Sequence, residues 1–179
     1  DDAWWEAFDK AAKMMWLEYP WGPIISKLSK EYELEWWKSK ELFPRVWLIK
    51  REFNFSFSWL KSSVKREVDK RIAEKQKLSL EDQKELSYEF ENAVIEVLAW
   101  KLLEASIQKN VKTIMLAWWV SANIKLKKQI QKLADKKGIK FIYPTKNLYC
   151  MDNAAMVWIN TYYKIKYGKC EEKIGVVKL

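Results

Sequence analysis

The sequence predicts an α/β fold. From residue 113 onward, helical patterns alternate with short apolar runs, the order of a layered α/β unit. Proline and glycine fall at joints between those patterns, as chain-reversing residues should. The longest apolar stretch, Ala93 to Ala105, is interrupted by Glu96 and Lys101 and falls short of the roughly 18 residues of a membrane span.

Residues 5–18 read as a helix, because Ala7, Phe8, Ala11, Ala12 and Met15 recur at helical spacing. Tyr19-Pro20-Trp21-Gly22-Pro23 is a breaker cluster, and a second helix is expected from about Pro23 to Tyr32, with proline at its first position. Residues 33–52 lack periodicity, contain Pro44, and are expected to form a variable loop. Phe53 to Ser58 alternates strictly, which predicts a strand with one buried phenylalanine face. Helices are expected from about Leu60 to Glu74 and from Leu80 to Lys109, the second with a stripe of Leu86, Phe90, Ala93, Val94, Val97 and Leu98. Thr113 to Ala117 is expected as a short buried strand. A helix from about Ser121 to Lys137 follows, closed by Gly138, then a strand from Ile139 to Tyr143. Asp152 is expected to open a last helix that ends near Tyr167 and Gly168.

The 179 residues suffice for one domain or one lobe of a larger enzyme, and 49% hydrophobic residues suffice for a core. The start at Asp1-Asp2 rather than Met fits a fragment or a processed chain. Two cysteines, Cys150 and Cys170, make no disulfide framework and fit reduced thiols in a cytoplasmic protein. The chain has no histidine, so it lacks the commonest general base and metal ligand. The net charge of +9 is almost all lysine, whereas base and phosphate readers favour the arginine fork. Lys125, Lys127, Lys128, Lys132, Lys136, Lys137 and Lys140 read most simply as the solvated face of one helix.

Six ordered segments carry a family resemblance. They are Glu6-Ala7-Phe8-Asp9-Lys10, Leu17 to Pro23, Phe43-Pro44-Arg45, Phe55 to Lys61, Ala117 to Asn123, and Cys150 to Met156. They resemble the GEAFDK, LxYPGGP, FPR, FSFSGLK, AGGVSAN and CTDNAAM motifs of the TsaD family of tRNA threonylcarbamoyladenosine transferases. The resemblance runs from residue 1 to about 179 and covers about the second half of a family member, whose first half carries an HxxxH metal motif.

It implies an actin-like ATPase fold, as in sugar kinases and heat-shock ATPases, with this chain as its C-terminal lobe. The implied reaction moves a threonylcarbamoyl group from threonylcarbamoyl-AMP to the exocyclic amine of the adenosine beside the tRNA anticodon. The implied partners are tRNA, the TsaB and TsaE proteins, and TsaC as the source of the adenylate, with no membrane. By resemblance Asp9, Gly22 and Asn123 contact nucleotide or substrate. Asp152 is the metal ligand, completed by two histidines from the other half, and iron(II), Fe2+, is the expected ion. No catalytic residue is assigned.

Each of these residues also has a plain reading. Asp9 could pair with Lys13 one helical turn on, Gly22 could serve a turn, and Asn123 and Asp152 could cap helices. Ser26 stands where some relatives carry Asp, which weakens any ligand role there. A sugar kinase of the same fold would not share FSFSGLK and CTDNAAM. A non-catalytic paralogue, or an inactive fragment acting as a binding module, would lack the use of Asp152. A metalloprotease is disfavoured because the chain has no HExxH.

The tryptophans are anomalous. The chain has 12 Trp and 4 Gly, whereas about 7% glycine is ordinary. Trp5, Trp16, Trp21, Trp59, Trp118 and Trp119 stand on glycines of the family motifs, and Trp158 is assigned with them. Such a pattern is expected when a codon that the host reads as glycine is translated as tryptophan.

Overall fold

A computed structural model of the chain describes residues 4–36, 39–45, 55–150 and 154–168. They form a mostly helical α/β arrangement: helices α1 (Trp4–Met14), α2 (Trp21–Trp36), α3 (Ser58–Lys75) and α4 (Leu80–Gln108), strand β1 (Thr113–Met115), helix α5 (Ile124–Lys137), strand β2 (Lys140–Ile142) and helix α6 (Ala154–Lys166). Single 3-10 turns at Trp119–Ala122 and Asn147–Cys150 precede α5 and α6.

Helix α1 buries the expected face of Ala7, Phe8, Ala11 and Ala12, with Met15 just past its end. Phe8 meets Phe90 of α4 edge to face, ring centroids 5.0 Å apart. The helix stops short of residue 18 because Trp16 turns left-handed, with φ 58°. The Trp16 amide then donates to the Lys13 carbonyl and the Leu17 amide to the Ala12 carbonyl, at 3.1 and 2.9 Å, which is a Schellman ending. Helix α2 starts at Trp21 and continues to Trp36, so residues 33–36 are helical rather than part of a loop. Residues 46–52 of the expected variable loop lie outside the described residues.

The expected strand at 53–58 does not form where it is described. Residues 55–57 carry no regular structure and Ser58 begins α3, while residues 53 and 54 lie outside the described residues. Among the described residues only β1 and β2 pair, so this segment has no ladder to complete. Phe55 and Phe57 instead stack, rings 6.1 Å apart and 4° from parallel; Phe57 is buried and Phe55 stays partly exposed.

Helix α4 is the axis of the molecule. Ser79 and Asp82 close a capping box at its start, each side chain bonding the other's backbone amide. Leu86, Phe90, Ala93 and Val94 of the predicted stripe pack into a core with α1, α2, α3, Phe43 and Phe57, with Leu98 partly buried against it; Val97 is buried outside that cluster. A second core joins the C-terminal half of α4 to β1 and α5 through Ile95, Ala99, Ile114, Leu126, Ile130 and Ala134. Burying α4 on several sides forces carboxylates inward, and each finds partners. Arg71 of α3 donates to Asp82 at 2.9 Å and meets Glu85 at 2.8 Å. Glu89, fully buried, accepts from the backbone amides of Lys40 and Leu42 and from the Ser39 hydroxyl. Arg45 grips Glu96 with two nitrogens, at 2.8 and 3.3 Å.

Strands β1 and β2 are parallel, with Ile114 opposite Phe141, and α5 forms the crossover between them. The expected burial of β1 holds only for Ile114; Met115 is 68% exposed. Helices α4 and α5 cover one face of this pair, leaving the other open among the described residues. Gly138 closes α5 as expected, with φ 64°. Helix α6 buries none of its residues, and Gly168 follows it with φ 64°.

Candidate nucleotide-binding turn

The turn between β1 and α5 is built around Asn123. Its side-chain oxygen accepts from the Leu126 amide at 2.8 Å, capping α5. Its side-chain nitrogen donates to Glu91 of α4 at 2.8 Å. The same Glu91 oxygen accepts from the Ser26 hydroxyl of α2 at 2.6 Å. Ser26 lies one helical turn beyond Gly22, so Glu91 ties the first turns of α2 to the start of α5. The free amides at the start of α5 and its dipole favour an anion there.

Gly22 sits in the first turn of α2 rather than in a left-handed turn, and a Cβ there would meet nothing within 4 Å. The surface over it is therefore open. Asp9 is half-buried on α1, and among the described residues no ion pair joins it to Lys13. Lys13 lies instead over the Trp21 ring, 4.4 Å from its centroid, so the Asp9–Lys13 face borders the start of α2. The structure thus joins Asn123 through Glu91 to Ser26, one helical turn beyond Gly22, while Gly22 itself takes no part in the bridge and Asp9 lies on α1 beside the start of α2. Asp152 lies outside the described residues.

Sequence periodicity missed two residues here. Lys125, read as part of a solvated face, is half-buried: its ammonium lies 4.1 Å from the centre of the Tyr88 ring and 3.3 Å from the Ser29 hydroxyl. Burial pushes its pKa below the usual lysine value, opposed by Glu91, Glu33, Glu89 and Glu96. Lys128, Lys132, Lys136 and Lys137 are exposed on α5 as expected, Lys127 is partly covered, and Lys140, though exposed, lies on β2 rather than on the helix because Gly138 has already ended α5. Glu91, 2% exposed, sits in the mixed segment Glu89-Phe90-Glu91-Asn92 and was not singled out; the available signal was a helix whose acidic residues leave it no polar face. An apolar crevice lined by Phe57, Leu60, Ala93 and Val97 lies elsewhere, between α3 and α4, and is only about large enough for a water molecule.

The backbone separates the anomalous tryptophans into groups. Trp118 has φ 63° and ψ −164°, a region that side-chain-bearing residues essentially never occupy. Trp16 holds the left-handed position of its Schellman ending. Trp59 and Trp158 lie in helices with exposed rings. Trp21 packs partly against the core and meets Tyr19 edge to face. Trp5 lies in α1 and Trp119 opens a 3-10 turn; their side chains lie outside the description.

The chain has no histidine, and among the described residues no three His, Cys, Asp or Glu side chains are grouped to hold an ion. Cys150 is a buried thiol and Cys170 lies outside the described residues. Among the described residues no helix is long and apolar enough to cross a membrane.

The sequence model of the TsaD family, described as tRNA N6-adenosine threonylcarbamoyltransferase, matches residues 1–158. Curated relatives bearing that name include a protein of Thermosipho africanus, 42% identical over 168 residues that cover 94% of this chain and 48% of that protein. The Fusobacterium nucleatum protein is 40% identical and the Clostridioides difficile protein 39%, each over 172 residues covering 96% of this chain and 48% of the relative. The chain spans about half the length of the curated relatives it matches. On this evidence the chain belongs to the TsaD family.

Proposed function

We propose that this chain is the C-terminal lobe of an actin-like-fold tRNA N6-adenosine threonylcarbamoyltransferase and that it holds threonylcarbamoyl-AMP at the turn before α5. The observation that carries the reading is Asn123, whose amide is fixed at both ends at a helix N-terminus open to an anion. In the reaction, the exocyclic amine of the tRNA adenosine attacks the carbamoyl carbon. The bond from that carbon to the phosphate oxygen breaks, AMP leaves with the electron pair, and the amine gives up a proton. The start of α5 stabilises the departing phosphate, while Asn123, Gly22 and Asp9 orient the nucleotide.

Asp152 would supply one carboxylate to an iron(II) ion, with histidines of the other half of the enzyme as its further ligands, and that ion would polarise the carbamoyl carbonyl. TsaB and TsaE act with the assembled enzyme in the cytoplasm, and TsaC supplies the adenylate. Positions 5, 16, 21, 59, 118, 119 and 158 are glycine in the protein that the host makes. The Trp118 backbone supports this most strongly, because its angles suit glycine alone. The competing reading, a binding module without catalysis, draws its support from indoles at 118 and 119.

The test is reconstitution. The full-length enzyme, with glycine at those seven positions, is combined with TsaB, TsaE, TsaC, threonine, bicarbonate, ATP and unmodified tRNA. Formation of threonylcarbamoyladenosine, lost in Asn123→Ala, is the expected result. No product, in an assay that a relative from Thermosipho africanus completes, would overturn the reading.

A further inference from the structure

We propose that Glu91 is a positioning residue for nucleotide binding: it aims the Asn123 amide and locks it to α2. The inference rests on the reading of the α5 turn as the adenylate site. Three observations carry it. Glu91 is a buried carboxylate, 2% exposed, on α4. One of its oxygens takes both the Asn123 amide hydrogen at 2.8 Å and the Ser26 hydroxyl hydrogen at 2.6 Å. The Leu126 amide holds the other end of the Asn123 amide at 2.8 Å, so its orientation is set by two fixed groups on different helices.

An asparagine amide nitrogen carries two hydrogens. Glu91 takes one, and the second is left for a ligand at the turn. The charged acceptor makes this a short, strong bond, and burial shields it from competing water. Without Glu91 the α5 cap remains, but nothing holds the amide nitrogen or ties it to the helix that carries Gly22. Ligand-holding groups lose affinity when such supporting partners are removed.

Glu89 provides a control. It is a buried carboxylate on the same helix, but it holds the 39–42 backbone instead of Asn123. The experiment titrates AMP into the full-length enzyme with glycine at 118 and 119, and measures Kd. Glu91→Ala is expected to weaken AMP about tenfold, by the scale of lost supporting contacts, and Glu91→Gln to recover most of that loss because its oxygen still accepts. Glu89→Ala is expected to lower the melting temperature and leave the AMP Kd in place. If Glu91→Ala does not fold, Glu91→Asp decides: one methylene shorter, it should also weaken AMP.

Suppose Asn123→Ala weakens AMP while the Glu91 variants bind like Glu89→Ala. The positioning role is then overturned and the nucleotide turn stands. If Asn123→Ala itself binds AMP normally, both are overturned.

Discussion

Trp16 ends α1 with the same pair of backbone hydrogen bonds with which Gly138 ends α5. In each case the left-handed residue's amide reaches back three residues and the next amide reaches back five, with φ of 58° and 64°. Asn110 closes α4 in the same way with φ 51°. Glycine and asparagine are the residues that this position selects, because a Cβ crowds the backbone there. Tryptophan at 16 is the one exception among three equivalent endings.

Trp16→Gly is therefore expected to stabilise the fold by about 1 kcal/mol, the usual scale of the left-handed penalty. The exposed indole gives up little packing in return. A rise in the urea midpoint checks it; an unchanged or lower midpoint would show that the Trp16 ring contributes more than its backbone costs.

Trp118→Gly should give a larger gain, on the order of 1–3 kcal/mol, because the φ and ψ of Trp118 lie in the region that only glycine occupies readily. The Ser121 amide and hydroxyl both donate to the Trp118 carbonyl, at 2.9 and 2.6 Å, so the loop cannot easily relax away from that geometry. Chemical denaturation of the single variant measures the gain.

Acid should unfold the α3–α4 junction early. Burial would raise the Asp82 pKa, but hydrogen bonds from Lys75 and Ser79 outweigh it and hold the carboxyl well below its usual range. Glu85 is lowered as well, burial being outweighed by Lys40 and Arg71. A lowered folded pKa means that the unfolded chain binds the proton first as pH falls. The stabilisation is then complete above the ordinary carboxylate values of about 4 and drains away below them. Asp82→Asn should flatten that acid limb and lower stability at pH 7, since the Lys75 and Arg71 bonds weaken. Urea midpoints at pH 7, 5, 4 and 3 read both effects.

Glu89→Ala should loosen residues 39–42 specifically. Their backbone amides at Lys40 and Leu42 end on that carboxylate, so its loss leaves donors to find water. Amide exchange at those two residues should accelerate while α5 exchange stays slow; uniform acceleration would indicate a global loss of stability instead.

Much of the helical framework was legible from spacing and end signals, because the buried faces of α1 and α4 follow a 3.6-residue period and Asn123 and Gly138 mark ends that side-chain or backbone chemistry dictates. The failures have physical causes. Phe53 to Ser58 alternates like a strand, but alternation does not supply a pairing partner. The end of α1 was misplaced because tryptophan gives no stop signal, although the backbone at 16 turns as a glycine would. Glu91 was missed because periodicity assigns faces to charges only when a helix has a polar face, and α4 has almost none; Lys125 was missed because the part of the polar face of α5 that carries it packs against Tyr88 of α4 and Ser29 of α2, which only the tertiary arrangement shows. The contacts of Asn123 were visible only once α2, α4 and α5 were placed together.

The turn at 117–123 is an open, glycine-lined cradle for an adenylate only if positions 118 and 119 are glycine in the host. Peptide mass spectrometry of the protein isolated from its native source tests this most directly. A peptide reading Ala117-Gly-Gly-Val120-Ser121-Ala122-Asn123 is the expected result, and it would make Asn123 and Glu91 the residues to mutate. A peptide carrying tryptophan at both positions would contradict the open cradle and turn attention from catalysis to a binding role.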